Sequence, residues 1–198
     1  MNSKEILDIA LKSNSDAIHP GYGFLSENAA FANQVKKLNI KWVGPSSNAI
    51  KKMGDKLTAK EIAIKANVPT LPMTSDPKKA NSIGYPILVK AAAGGGGKGM
   101  RIVEKARDLK ESIKAAEREA EGGFGDKRVF LERYIKRSRH IEIQILGDSF
   151  GNIVHLGERE CSIQRRHQKI IEESPSPMVD DEMREKMGEA AIKLASKL

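Results

Sequence analysis

Hydrophobic positions near the start of the chain follow helical and strand periods in alternation. Apolar residues at helical spacing predict helices over 3–11 and 26–38, the second with Ser26 as its N-cap. Short apolar runs predict strands at 17–18 and 40–43. Strands alternating with helices in this way are typical of an α/β layer.

The next segment predicts helices, a hinge and a hairpin. Apolar positions over 47–67 predict two helices, the second capped by Asp55. The proline-containing stretch 70–84 shows little periodicity, so we interpret it as a hinge into a smaller module. Apolar strands at 86–90 and 100–103 flank a run of glycines, which is the pattern of a hairpin.

The second half predicts strands between two helices. A helix is expected over 107–120 and a strand over 129–135. Isoleucines alternate strictly with polar residues over 140–146, which predicts a strand with one core face and one polar face. A return strand at 153–156 and a short strand at 170–173 should follow. The last helix should open near Asp180 and Asp181.

Composition is that of a soluble globular chain. It has 198 residues, of which 39% are hydrophobic and 30% charged. No apolar run approaches the roughly 18 residues that a membrane helix needs, and the N-terminus lacks a charged-then-apolar leader. We therefore expect a cytoplasmic protein without membrane contact. Cys161 is the only cysteine, which excludes an intrachain disulfide and a metal site built from cysteines.

Net charge points to an anionic partner. Lysine and arginine outnumber acidic residues and give a formal charge of +8. Aromatic residues make up only 5% and are not interleaved with basic stretches, as single-strand binders require. A small phosphate-bearing ligand is therefore as plausible as nucleic acid.

The sequence GGGGKG at 94–99 is the strongest chemical feature. Glycines cost backbone entropy, about 0.5–1 kcal/mol each in an ordered element, so a mobile flap over a polyphosphate is the better interpretation than a rigid element. A hairpin tip without function is the alternative. Lys90 precedes the run on a strand and could neutralise phosphate charge, while Lys56, in a first helical turn, is a weaker candidate.

Two polar regions follow in the second half. The polar face of strand 140–146 either meets solvent, which is the default, or lines a cleft. The segment QRRHQK at 164–169 concentrates positive charge between glutamates. We favour a local site for bicarbonate or phosphate over a nucleic-acid patch or an ordinary surface run, because the glutamates weaken attraction to a polyanion.

At these residues the sequence resembles the biotin carboxylase component of biotin-dependent carboxylases, such as acetyl-CoA, propionyl-CoA and pyruvate carboxylases. The matching stretches cover nearly the whole chain: DAIHPGYGFLSEN, WVGPSS, MGDK, ILVKAAAGGGGKGMRIV, RHIEIQILGD and ERECSIQRRHQKIIEESPSP. MGDK and the glycine run are shared with other ATP-grasp ligases. HPGYGFLSEN and QRRHQK are specific to the carboxylase branch.

The resemblance implies an incomplete ATP-grasp fold of the α/β class. The expected divisions are the C-terminal part of an N-terminal α/β domain at 1–48, a helical connector at 49–70, an ATP-grasp lid domain at 71–134 and the first part of a C-terminal ATP-grasp domain at 135–198.

The resemblance also implies a ligase that forms a C–N bond. ATP would phosphorylate bicarbonate to carboxyphosphate, and the carboxyl group would pass to N1 of biotin on a carrier protein, with Mg²⁺ assisting. The implied partners are ATP, bicarbonate, the biotin carboxyl carrier and a carboxyltransferase subunit, with a homodimeric parent and no nucleic acid or membrane. The alternatives are an ATP-grasp ligase of the carbamoyl-phosphate synthase type and a basic nucleic-acid-binding module.

Site residues carried over from the matching motifs fall into five groups. With them, the polar face of strand 140–146, which includes His140, is expected to line a cleft and not to face solvent. Lys56 and Lys90 would contact ATP phosphates, Gly96 and Gly97 would cover them, and Glu132, Arg133, Tyr134 and Ile135 would form an adenine-binding hinge. His140, Gln164 and His167 would lie at the nucleotide, and Lys169 would hold bicarbonate.

The sequence also departs from the family pattern. It lacks the start of the first α/β domain and the region where the family keeps its acidic Mg²⁺ ligands, catalytic arginines and glutamate base. The connection at 69–84 is shorter than usual. We expect a fragment, a shortened gene model or a chain completed by another polypeptide, without biotin-dependent ATPase turnover alone. Carboxybiotin formation by the purified chain would refute that expectation.

Overall fold

The computed structural model describes residues 1–93, 99–165 and 168–198. Two compact units divide the chain, Met1–Ala59 and Lys60–Leu198. Among the described helices, none combines the length and apolar character required to traverse a bilayer.

The first unit is a small α/β layer. Its parallel strands are β1 (Ala17–Ile18) and β2 (Lys41–Trp42), with Ala17 opposite Lys41. The helices are α1 (Ser3–Lys12), α2 (Ala29–Lys37), α3 (Ser47–Gly54) and the start of α4 (Lys56–Lys65). The predicted strand and helix order is confirmed.

The core of this unit lies between α1, α2 and the strands. Phe31 and Trp42 meet edge to face, with ring centroids 5.7 Å apart. The other buried members are Leu7, Ala10, Ala32, Val35, Ile40 and Ile50.

The predicted start of α2 was wrong. Ser26 lies in a 3₁₀ turn, Phe24–Glu27, where its hydroxyl donates to the Gly23 carbonyl at 2.8 Å. Asn28 is the N-cap, and its side-chain oxygen accepts from the Phe31 N–H at 2.9 Å. Both residue types cap helices well, so local sequence could not choose between them.

The second unit begins with a four-stranded antiparallel sheet of order β3-β6-β4-β5. Helix α6 packs on its core face, which carries Ile87, Val89 and Leu131. The elements are β3 (Met73–Thr74), α5 (Ala80–Ile83), β4 (Ile87–Ala91), β5 (Arg101–Val103), α6 (Leu109–Phe124) and β6 (Val129–Arg133). The expected pairing of the strands on either side of the glycine run is confirmed.

Two boundaries in this sheet differ from prediction. The stretch interpreted as a hinge contains β3 and α5, and it contributes buried Ala80 and Ile83 to the core. Helix α6 continues past the expected end at residue 120 and closes at Gly125, which has φ of +68°. A left-handed residue ends a helix, and glycine adopts that conformation without steric cost.

A three-stranded antiparallel sheet completes the second unit. It consists of β7 (Ile141–Gly147), β8 (Ile153–Arg165) and β9 (Gln168–Glu173), covered on one face by α7 (Asp181–Ala195). The isoleucine face of β7 is half-buried rather than a fully buried core face.

Strand β8 extends far beyond the predicted return strand at 153–156. Its continuation contains two buried carboxylates, Glu158 and Glu160. Arg184 of α7 and Ser176 hydrogen-bond these carboxylates and make their burial tolerable. Because β8 ends at Arg165 and β9 begins at Gln168, the basic segment 164–169 includes the end of one strand and the start of the next.

Candidate functional site

A cluster of three charged side chains lies on the sheet β3-β6-β4-β5. Leu88 pairs with Glu132 and Lys90 with Phe130, so Lys90 and Glu132 lie on the same face. Lys90 Nζ donates to Glu132 Oε2 at 3.0 Å, and Lys60 from α4 donates to Oε1 of the same carboxylate. We name Lys60, Lys90 and Glu132 the double-lysine cluster.

Electrostatics keep Glu132 ionised in this cluster. Burial would raise the pKa of Glu132, but the hydrogen bonds and charges of Lys60 and Lys90 outweigh burial and hold the pKa below its ordinary value. Two ammonium groups around one carboxylate leave one unit of positive charge. The cluster can therefore attract an anion.

Within the double-lysine cluster, Lys90 is the side chain that a ligand could reach, and the Phe130 ring helps to orient it. Its side chain is 23% exposed, against 10% for Lys60 and 12% for Glu132. The ammonium lies 5.6 Å from the centroid of the buried Phe130 ring, within range of a cation–π contact. Of the two lysines, Lys90 is the one more open to a ligand.

Lys60 is the residue that sequence reasoning missed. It lies 72 positions from Glu132 in the chain, and its helix shows no pattern that marks this position. Its nearly complete burial against a carboxylate is visible only in the folded unit. A buried lysine needs such a partner.

The remaining members of the predicted adenine hinge follow Glu132 at the end of β6. The Arg133 guanidinium donates to the Tyr85 carbonyl at 2.9 Å. A Cβ at Gly84 would lie 2.6 Å from that guanidinium, so the contact favours glycine there. Tyr134 donates its N–H to the Pro86 carbonyl at 3.0 Å, and Ile135 is about half exposed.

A second charged cluster is centred on Glu142 of β7. Arg159 of β8 and Lys169 of β9 both donate to its carboxylate, Lys169 at 2.5 Å, and His140 Nε2 lies 3.5 Å away. Burial would raise the pKa of Glu142, but the hydrogen bonds and charges of Lys169 and Arg159 outweigh burial and lower the pKa to about 2. We name these four side chains the Glu142 cluster.

Gln164 and Cys161 border the Glu142 cluster. Gln164 pairs with Lys169 across β8 and β9, and its side chain donates to the Cys161 carbonyl at 2.8 Å. Burial, together with the negative charge of Glu142, raises the pKa of the Cys161 thiol. Lys169 and Gln164, predicted as neighbours of an anion, therefore lie opposite one another on adjacent strands.

Three predicted site residues lie outside the described residues: Gly96, Gly97 and His167. Lys56 occupies the first turn of α4, as expected. Asp55 caps that turn, since its carboxylate accepts from the Thr58 N–H at 2.9 Å.

The described residues include one group with metal-ligating atoms close together. Oxygen atoms of Glu142 and Glu172 and the sulfur of Cys161 all lie within 4.8 Å of one another. Mg²⁺ prefers oxygen ligands, whereas the thiol is a soft ligand held protonated and Glu142 is already engaged by cations. These residues do not fit Mg²⁺.

Two family profiles match the sequence of this chain. The profile of the biotin carboxylase N-terminal domain matches residues 1–50. The profile described as the carbamoyl-phosphate synthase L chain, ATP binding domain, matches residues 55–198.

Relatives agree with both profiles. The biotin carboxylase of Nostoc sp. is 51% identical over 98% of this chain and 45% of its own length. The biotin carboxylase–β-γ-ATP complex of Campylobacter jejuni is 48% identical with a TM-score of 0.91, over 99% of this chain and 46% of that one.

A third relative was solved with small ligands. It is the biotin carboxylase domain dimer of 2-oxoglutarate carboxylase from Hydrogenobacter thermophilus, in complex with MgADP, ADP and bicarbonate. It is 45% identical with a TM-score of 0.89, over 99% of this chain and 45% of that one.

The mixed α/β fold is that of a partial ATP-grasp region. The chain belongs to the biotin carboxylase family. It spans less than half the length of these relatives.

Proposed function

We propose that this chain supplies the ATP-binding part of a biotin carboxylase. In the proposed reaction, ATP phosphorylates bicarbonate to carboxyphosphate, and the carboxyl group then passes to N1 of biotin on a carrier protein. The observation that carries the proposal is the double-lysine cluster with its surplus positive charge, in which Lys90 belongs to the strand that precedes the glycine run in the sequence. The similarity to structures solved with nucleotides supports it.

Lys90 is proposed to bind the ATP phosphates. Phosphoryl transfer depends on alignment and charge neutralisation more than on covalent help from the protein. An ammonium has three N–H donors, and the bond to Glu132 uses one of them. The carboxylate and the Phe130 ring hold the amine in place, so less side-chain entropy is lost when a phosphate binds.

Lys169 is proposed to hold bicarbonate. The Lys169 side chain is one-third exposed, and its hydrogen bond to Glu142 raises its pKa, so it stays cationic at neutral pH. Arg159 offers a second cation on the same carboxylate. A relative was solved in complex with bicarbonate, which supports a bicarbonate site in this family.

The other assignments complete the nucleotide site. Lys56 is proposed as a second phosphate ligand, and 132–135 as the adenine-binding hinge. His140, Gln164 and His167 are proposed to lie at the nucleotide, and Gly96 and Gly97 to cover the phosphates. Closure of that cover would exclude water, which hydrolyses carboxyphosphate.

Cofactors and partners follow from the family. Mg²⁺ would neutralise phosphate charge when bound, and the group of Glu142, Cys161 and Glu172 does not fit it. The proposed partners are a biotin carboxyl carrier and a carboxyltransferase subunit, with a homodimeric parent. The proposed divisions are 1–48, 49–70, 71–134 and 135–198.

ATP titration by calorimetry tests the proposal. Lys90→Met keeps most of the apolar stem but removes the charge, so we expect ATP affinity to fall about tenfold or more. Lys114→Met, at an exposed position on α6, is the matched control and should bind as the wild type does. Equal affinity in all three proteins would reject the nucleotide site.

The acceptor substrate distinguishes a biotin carboxylase from a ligase of the carbamoyl-phosphate synthase type. The reaction of the full-length parent should depend on biotin, with carboxybiotin as product. Dependence on an amine in place of biotin would instead support a ligase of the carbamoyl-phosphate synthase type.

A further inference from the structure

Burial of Lys60 is the observation from which this inference starts. Its side chain is 10% exposed, and its ammonium donates to Oε1 of Glu132 while Lys90 donates to Oε2. The two lysines thus share one carboxylate from opposite oxygens. Lys60 is not among the site residues carried over from the family motifs.

The charge balance depends on Lys60. With both lysines present, the carboxylate is neutralised once and one positive charge is left over. Without Lys60, Lys90 and Glu132 would form a balanced ion pair, whose attraction for an anion is weak because the two charges cancel at a distance. Lys90 would also bind Glu132 more tightly and turn less readily towards a ligand.

We propose that Lys60 is a positioning residue that neutralises Glu132, so that the ammonium of Lys90 remains available to the phosphates of ATP. This inference rests on the proposed function, because it assumes that Lys90 binds ATP. It assigns Lys60 an electrostatic role exerted through Glu132, without contact between Lys60 and the nucleotide.

A purely structural alternative predicts different behaviour. Lys60 also links α4 to β6, and a simple tether would matter through its hydrogen bond rather than its charge. Lys60→Gln separates the two, because the amide can still donate to the carboxylate but carries no charge. Lys60→Arg keeps the charge and serves as the conservative control.

ATP and adenosine titrations test the charge role. For Lys60→Gln we expect ATP affinity to fall about tenfold and adenosine affinity to change less than about twofold, because adenosine carries no phosphate charge. Lys60→Arg should bind ATP within about threefold of the wild type. Thermal unfolding of each variant checks that the unit remains folded.

A double variant makes the test specific to Glu132. In Lys60→Gln with Glu132→Gln, both the lysine and the carboxylate it neutralises lose their charge, so the surplus positive charge returns. The ratio of ATP affinity to adenosine affinity should recover to within about threefold of the wild-type ratio. The ratio is used because Glu132→Gln also changes a residue of the proposed adenine-binding hinge, and adenosine reports that change alone. A tether that acts through its hydrogen bond predicts little loss of ATP affinity in Lys60→Gln, so the double variant would have nothing to restore.

Each other outcome overturns the inference. Unchanged ATP affinity in Lys60→Gln, equal loss of ATP and adenosine, or no recovery in the double variant would contradict it while leaving the proposed function intact. If Lys60→Gln unfolds, the double variant decides alone: a ratio of ATP affinity to adenosine affinity near that of the wild type supports the inference, and a lower ratio rejects it. Failure of the wild type to bind ATP would reject the proposed function and this inference together.

Discussion

Glu132 and Glu158 are both strand carboxylates held by cationic side chains, but their surroundings differ in charge. Glu132 lies between two lysines, one of them 23% exposed. The Glu158 side chain is 1% exposed. The guanidinium of Arg184 donates to both of its carboxylate oxygens, at 2.8 and 3.0 Å. The first arrangement has surplus positive charge, whereas the second has none, because Arg184 also pairs with the exposed Asp181.

This difference separates a candidate binding site from a structural anchor. A balanced bidentate pair satisfies its own groups and offers little to a ligand. Arg184 belongs to α7 and Glu158 to β8, so their pairing fixes the helix on the sheet. A carboxylate with an excess of cations instead keeps an attraction for anions, provided that one cation is accessible, as Lys90 is.

The largest expected effect is on the anchor. Arg184→Met leaves Glu158 buried without its cation, which should give the largest loss in the free energy of unfolding among these variants. Urea unfolding measures this change, and ATP affinity of the folded variant should stay at the wild-type value. Lys193→Met, in an exposed pair with Glu189, is the control and should cost less than about 1 kcal/mol. Similar losses in both variants would contradict the anchor role.

Close packing of α7 on the same sheet provides the next test. A Cβ at Gly188 would lie 2.5 Å from the His155 ring, so Gly188→Ala should destabilise the chain by about 1–3 kcal/mol. Gly122→Ala in α6 is the matched helical control, because nothing lies within 4 Å of its Cβ. Alanine favours a helix over glycine, so this control should gain up to about 1 kcal/mol. A gain in both would show that α7 is not closely packed there.

Acid unfolding should report the Glu142 cluster. The pKa of Glu142 is about 2 in the folded chain, below its ordinary value of 4.5. Its stabilisation is therefore complete above about pH 4.5 and is lost as pH falls towards 2, by about 1–2 kcal/mol after solvent screening. Glu142→Gln should flatten the pH dependence of stability in this window.

The control for the acid experiment is an exposed carboxylate. Glu182→Gln on α7 removes a carboxylate that is 78% exposed and should leave the pH dependence nearly unchanged. If Glu142→Gln unfolds with the same pH dependence as the wild type, Glu142 does not have the lowered pKa.

Much of the fold could be predicted because its signals are local. The N-caps at Asp55 and Asp180, the hairpin around the glycine run and the alternation in β7 all depend on neighbours within a few residues. Predictions failed where two local signals were equally good, as at Ser26 and Asn28. They also failed where distant partners compensated for an unfavourable residue, as in β8.

The sequence by itself determined the helix and strand periods, the positive charge, and the motif residues that carry the family resemblance. Only the tertiary structure decided which charges are surplus and which are balanced. Lys60 and Glu132 are 72 positions apart, and Glu158 and Arg184 are 26 positions apart. Neither pairing leaves a local pattern, because ion pairs across a folded core depend on how strands and helices pack and not on the spacing of residues along the chain.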